Sequence, residues 1–420
     1  MTDRGAEPAS RQRQLPDKPE PEHGGSPAHD SVRAWVVVAA AFAALFTVFG
    51  VAFSFGTFLD PIMAEFGAGR AAASVVFSLT SLTGFTLGAV TGPAADRFGP
   101  RPLLLVGAAA FGLGLATAAH ADRLWIACLT YGAGVGIGVG CAYVPTVAAV
   151  GGWFRRRRAL AVGVAVSGIG LGTLAAAPLA ARLVDVYGWR TTYLGFAGVG
   201  SAVLVMSALF IAATPSEGAE KVRRTGPTIR SPTYLWLYLS NLLLSLALFV
   251  PFVHLPASAG EVGVGVVAAS WLVGIVGAAS VAGRIALGAV ADRVGPLRAY
   301  RVCFLLVGTS FVLWWAGGGF WALAAFSVVL GIGYGGFVAL SPVLLAAFFG
   351  VERLGGLLGV LLTANGLGSA LGPPAAGLVV DATGSYAPAV AASAMLGLIA
   401  YAALLPLDTR TTPTIEDEPT

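Results

Sequence analysis

From Ala34 to about Leu407 the chain is a succession of long apolar runs separated by short polar breaks. The runs lie near 34–59, 70–94, 102–119, 123–150, 158–186 and 190–213, and again near 233–259, 264–290, 298–318, 320–349, 353–382 and 386–407. A helix crossing a hydrocarbon core of roughly 30 Å needs about 20 such residues. Only 11% of the 420 residues are charged, against roughly 25% in soluble proteins, so most of the surface must face lipid. The pattern therefore predicts an all-α membrane protein with twelve transmembrane helices. They fall into two six-helix halves, 33–214 and 233–407, divided by a polar linker at 215–232.

The tails differ from this body. Residues 1–32 are rich in Pro, Glu, Arg, Gly and Asp and have no apolar periodicity, which predicts a disordered tail too polar for a signal peptide. A second polar tail covers 408–420. With the N-terminus in the cytoplasm, the opposite side receives only Arg70, Arg123, Arg182 and Arg190, and Arg284 is left within the membrane. The remaining twenty of the 25 Lys and Arg then lie in inner loops and tails. This asymmetry predicts a multi-pass protein of the plasma (inner) membrane with both termini cytoplasmic.

Several chemistries are excluded. Cys128, Cys141 and Cys303 all fall inside apolar runs, an odd number without ligand spacing, so they read as packing residues. The sequence holds no metal motif, phosphate loop, nucleic-acid motif or acid/base pair that could sit in an aqueous pocket. The expectation is a non-enzyme without cofactor or metal, monomeric, whose partners are the bilayer and a small solute.

Glycine is frequent inside the runs. Gly132, Gly134, Gly136, Gly138 and Gly140 alternate in the fourth, and Gly168, Gly170 and Gly172 in the fifth. Small residues let membrane helices approach closely; the other reading is that they let helices rock.

The halves repeat each other. Gly92-x-x-x-Asp96-Arg97-x-Gly99-Pro100 corresponds to Gly288-x-x-x-Asp292-Arg293-x-Gly295-Pro296, both between the second and third runs of their half. Pro178 precedes Asp185 by the same interval that separates Pro374 from Asp381. Such a parallel repeat fits two bundles related by an axis along the membrane normal. The Gly92–Arg101 loop resembles the most specific motif of the major facilitator superfamily. That resemblance implies the superfamily's fold and a gating role for Gly92, Asp96, Arg97, Gly99 and Arg101, and more weakly for Asp292 and Arg293. The alternative is plain helix capping.

Polar groups at membrane depth are few: Tyr131, Tyr143, His254, Arg284, Tyr334 and Asn365. A guanidinium at mid-depth costs roughly 2.5–3.5 kcal/mol on insertion scales, so it pairs, lines water or binds an anion. No Asp or Glu lies in the interior of any run. Arg284 thus reads as a receptor for a small organic anion, whose carboxylate its planar donors fit bidentately. His254 stands in Pro251-Phe-Val-His254-Leu-Pro256, where the prolines predict irregular backbone. It could carry a proton, bond substrate, or be structural.

A narrower resemblance, over about residues 30–410, is to bacterial members of the monocarboxylate transporter family. It rests on Trp153–Ala161 with Ser167-Gly168, on Arg33-Ala-Trp35-Val-Val-Val, on Pro251–Leu255 and on the eighth-helix Arg284. It implies transport of lactate- or pyruvate-like monocarboxylates by alternating access, often with a proton. Arg284 would hold the carboxylate while Tyr143 and Tyr334 shape the pocket. Three positions depart from relatives: Phe53 where animal members carry lysine, Ser280 where they carry aspartate, and Asn365 where oxalate/formate exchangers carry lysine. These leave any proton to His254, and a single fixed cation suits a monoanion. Two other readings stand beside this one: exchange or efflux of another amphipathic anion, and a non-transporting membrane sensor.

Overall fold

The computed structural model describes residues 32–154, 157–211, 229–350 and 354–408. The expected tails at 1–31 and 409–420, most of the linker (212–228), and Arg155 and Arg156 lie outside the described residues, as does the side chain of Asp96.

Every described element is helical. The helices are α1 (Val32–Phe53), α2 (Leu59–Phe66), α3 (Arg70–Phe98), α4 (Pro100–Ala119), α5 (Leu124–Trp153) and α6 (Arg158–Phe210), followed by α7 (Pro232–Leu248), α8 (Val250–Glu261), α9 (Val266–Val294), α10 (Pro296–Ala316), α11 (Phe320–Phe349), α12 (Leu354–Thr383) and α13 (Ala387–Ala403). Ten of the helical stretches are long and apolar enough to cross a membrane. One of these, α6, is broken at Gly188 (φ 78°, ψ 163°) into two arms, and α13 is a shorter apolar helix, which completes twelve spans.

Two spans are interrupted where hydropathy gave no sign of it. The first continues past Phe53 through a 3₁₀ turn (Phe55–Thr57) into α2. The seventh breaks at Phe249 rather than at its prolines. Pro251 occupies the first turn of α8, where a missing N–H costs nothing, and Pro256 is accommodated within that helix, so the segment expected to be irregular is helical.

The repeated loop has one geometry in both halves. Gly99 (φ 81°, ψ 164°) ends α3 and Gly295 (φ 91°, ψ 152°) ends α9, a conformation that essentially only glycine adopts. Pro100 and Pro296 then open the next helix with φ already set. These loops define the Gly99 face of the molecule; the loops holding Arg70 and Glu261 define the opposite face.

The alternating glycines of α5 form two stripes on different sides of one helix. A methyl placed on Gly132, Gly136 or Gly140 would meet Leu79, Thr83 or Leu87 of α3, at 2.7, 2.6 and 2.8 Å. Gly134 and Gly138 instead face Gly114 and Phe111 of α4. Residues four apart share a helix face, so one row with period two seats two neighbours. In α6, Gly168 and Gly172 press against the backbone of α1 at Phe42 and Phe46, and Gly170 faces Gly277 of α9.

The halves meet along two long seams, α3 against α12 and α6 against α9. Both are tighter towards the Arg70 face. On the first seam, a methyl on Gly377 would meet Ala71 N at 2.6 Å, one on Gly366 would meet Phe85 Cβ at 3.4 Å, and one on Gly359 would meet Ala89 Cβ at 3.7 Å. On the second, Gly277 touches Gly170, whereas Gly163 and Gly288, nearer the Gly99 face, have nothing within 4 Å. The helices diverge towards the Gly99 face and leave a cavity between the halves.

Candidate functional site

The cavity is walled by side chains of both halves. Phe49 of α1, Phe85 of α3, Tyr143 of α5, Ile169 of α6 and the hinge residue Phe249 line it, together with Tyr334 and Ser341 of α11 and Asn365 of α12. It ends, towards the Arg70 face, at an aromatic layer one turn further along. There Phe53 stacks on Phe252 with ring centroids 4.5 Å apart, and Phe77 and Phe249 pack around them. Phe53 is therefore part of this layer and not of the cavity lining.

Arg284 of α9 lies close to Tyr143 and Tyr334, which line the cavity, but is not itself part of the lining. Its Nη1 donates to the Val166 carbonyl of α6 at 2.8 Å, across the seam between the halves. Nε and Nη2 are buried and have no hydrogen-bond partner. Its charge interacts with the two tyrosines that line the cavity, Tyr143 and Tyr334. No acid pairs with it: among the described residues the ion pairs are Arg70–Glu261 and Arg190–Glu65, both at the opposite face. An unpaired guanidinium with two idle, adjacent donors matches the geometry of an oxyanion.

Ser280, one turn earlier on α9, is fully buried, and its hydroxyl bonds back to the Gly277 carbonyl at 2.7 Å. It is used within its own helix. Asn365 lines the cavity; its Oδ1 accepts from Ser245 at 3.1 Å. Tyr131, in contrast, is buried away from the cavity and donates to the Val51 carbonyl at 3.2 Å.

His254 is not brought to Arg284. It is fully buried on the Arg70 side of the aromatic layer, where Nε2 donates to the Pro373 carbonyl at 2.8 Å and lies 3.3 Å from Ser74 Oγ. Its Nδ1 has no partner. Because Ser74 belongs to one half and Pro373 to the other, the ring sits in the seam itself.

Above it lies a cluster that sequence inspection missed. The Asp381 carboxylate, at the end of α12, accepts from the backbone N–H groups of Arg70 and Ala71, each at 3.1 Å, and so caps the N-terminus of α3 from the other half. The Arg70 guanidinium donates to Glu261 at 3.2 Å and to the Tyr386 hydroxyl at 3.1 Å. The signal was available: Asp381 belongs to the repeated Pro/Asp pair, and its counterpart Asp185 stands exposed.

At the Gly99 face, Arg97, Arg101, Asp292 and Arg293 are exposed, and Arg97 lies over the Phe98 ring at 5.1 Å. Gly92 lets α3 approach Val144 of α5; a methyl there would meet it at 3.3 Å.

The sequence matches the profile of the Major Facilitator Superfamily over residues 40–285 and 237–420, which together span both halves. The chain belongs to the major facilitator superfamily. Among curated members it is 30% identical to "Monocarboxylate transporter 13" of Bos taurus, over 84% of each chain. It is 28% identical to "Monocarboxylate transporter 4" of Rattus norvegicus, over 86% of this chain and 80% of that one. It is also 29% identical to "MFS-type transporter pynF" of Aspergillus niger, over 86% and 85%. A bacterial homologue of the human lysosomal transporter Spinster, solved in an inward-facing, unoccupied conformation, superposes with a TM-score of 0.71 at 15% identity, covering 92% of this chain and 98% of that one. That likeness concerns the fold. This major facilitator protein is a multi-pass membrane transporter, and its relatives are transporters of solutes, not enzymes.

Proposed function

We propose that this transporter carries small monocarboxylates, with lactate and pyruvate as the reference solutes, across the plasma membrane by alternating access. The reading rests on Arg284: a cation at membrane depth, without an acidic partner, whose Nε and Nη2 are unused beside a cavity between the halves. Tyr143, Tyr334 and the Asn365 amide complete the polar lining, and Phe53 and Ser280 support the site from outside it. The monocarboxylate transporters among its relatives favour the same class of solute.

In this reading the Gly99 face and both termini are cytoplasmic, a placement that the distribution of basic residues supports. Gly92, Asp96, Arg97, Gly99 and Arg101 form the inner gate, with Asp292 and Arg293 as its second copy. The protein works as a monomer, and a proton accompanies the anion through His254, whose seam position would couple its charge to the closing of the halves. Uptake of labelled lactate and pyruvate into proteoliposomes, with and without an inward proton gradient, tests both parts. Accumulation driven by the gradient supports symport; uptake indifferent to the gradient restricts the protein to facilitated diffusion. Uptake that requires a preloaded internal anion would favour exchange instead. Absence of any carboxylate uptake would reject the assignment.

A further inference from the structure

The cavity is more apolar than a three-carbon acid requires. Ten of its fourteen lining residues have no polar side-chain atom, and six carry aromatic rings, four of them Phe49, Phe85, Phe249 and Phe337. Its polar groups are fewer still in effect. The Ser341 hydroxyl is already engaged by the Phe337 carbonyl at 2.7 Å and by Tyr300 at 3.1 Å. Asn365 Oδ1 is occupied by Ser245. The free hydrogen-bonding capacity is thus concentrated at one end, around Arg284, Tyr143 and Tyr334, and the rest of the volume is hydrocarbon.

A ligand complementary to that distribution is an anion at one end and a ring at the other. Sites for small molecules bury most of the ligand surface against apolar walls and fix it by a few polar groups. Lactate or pyruvate has no ring to set against the phenylalanine walls. Each methylene equivalent moved from water to an apolar wall raises affinity about fourfold. Aromatic walls add edge and offset contacts of the kind Phe49 already makes with Tyr143, at 5.7 Å and 81°.

We infer that the preferred substrates are monocarboxylates bearing an aromatic ring, with the carboxylate on Arg284 and the ring among Phe49, Phe85 and Phe249. This rests on the reading of Arg284 as a carboxylate receptor. The divided chemistry of the cavity carries it: the Tyr143 and Tyr334 hydroxyls with Arg284 behind them at one end, and a phenylalanine-lined remainder.

The matched probes are pyruvate with phenylpyruvate, and lactate with 3-phenyllactate, which differ only by the ring. Titration calorimetry on the purified full chain in nanodiscs is expected to give a Kd at least tenfold lower for the phenyl acid of each pair. Phe49→Ala and, separately, Phe85→Ala should erase most of that difference. Two variants guard against one of them failing to fold. Arg284→Gln separates the two claims. If both acids bind the wild type equally and both are lost in Arg284→Gln, the carboxylate site stands and the aromatic preference is overturned. If neither acid binds the wild type, or both bind Arg284→Gln as well as the wild type, the carboxylate reading fails and the preference with it.

Discussion

The Asp381 carboxylate caps the first turn of a helix that belongs to the other half of the molecule, accepting from Arg70 N and Ala71 N at 3.1 Å each. A carboxylate there satisfies two otherwise unpaired N–H groups and opposes the positive end of the helix dipole. In the alternating-access reading the bond is lost when the Arg70 face opens, so its free energy biases the transport equilibrium.

Replacing Asp381 by Asn should therefore shift the population towards a state open on that face. A helix cap of this kind contributes about 0.5–2 kcal/mol, a two- to thirtyfold change in the ratio of states. Spin labels at Asp122 and Gly318, on loops of different halves at the Arg70 face, would read it as a longer distance distribution. The three native cysteines are buried and can first be replaced. An unchanged distribution would remove Asp381 from the gate.

His254 makes a different prediction. Glutamine can keep a donor towards the Pro373 carbonyl but cannot take up a proton near neutral pH. His254→Gln is expected to fold normally and to lose most of the pH dependence of uptake. A variant with the wild-type pH profile would leave the histidine a purely structural role.

Helix packing can be tested through the glycines. Gly136→Ala places a methyl 2.6 Å from Thr83 Cβ and 2.8 Å from the Thr80 carbonyl, which should cost about 1–3 kcal/mol as overpacking. Gly198→Ala enters open space and should be neutral or stabilise by up to about 1 kcal/mol, because alanine favours the helix. Thermal unfolding of the two variants in one detergent should move in opposite directions or diverge by several degrees.

Arg301 should be structural. Its guanidinium donates to the Leu404, Leu405 and Leu407 carbonyls, with Nη2 at 3.1, 3.1 and 2.6 Å, and so closes the end of α13. Lysine cannot span all three acceptors from one planar head. Arg301→Lys should lower the unfolding temperature by several degrees and leave the Kd for monocarboxylates within about twofold.

Much of the architecture was legible in the residues because lipid imposes strong rules. Twelve spans and the parallel repeat followed from run length and from Gly92–Pro100 and Gly288–Pro296, since only glycine tolerates the backbone at those corners. The breaks at Phe249 and beyond Phe53 were not legible, because hydropathy does not register a change of backbone direction within an apolar stretch. Arg284 stood out because an unpaired charge in hydrocarbon is costly. Phe49, Phe85 and Phe249 did not, because a phenylalanine facing a cavity and one facing lipid are alike in sequence. His254 read from the sequence as a proton carrier, a substrate contact or a structural residue; it lies in the seam on the Arg70 side, bound to Ser74 and Pro373. Only the register of α3 against α12 shows this.

The central claim is that Arg284 holds the substrate carboxylate. Hydrogen bonds to a charged group contribute about 1.5–3 kcal/mol each, so losing even one bond to the guanidinium weakens binding roughly 10- to 100-fold. The most direct measurement is initial uptake of labelled pyruvate into proteoliposomes containing wild type or Arg284→Ala at equal reconstituted amounts. The account predicts at least a tenfold loss of uptake at sub-saturating pyruvate, with unfolding temperature retained. Uptake by Arg284→Ala equal to that of the wild type would contradict it.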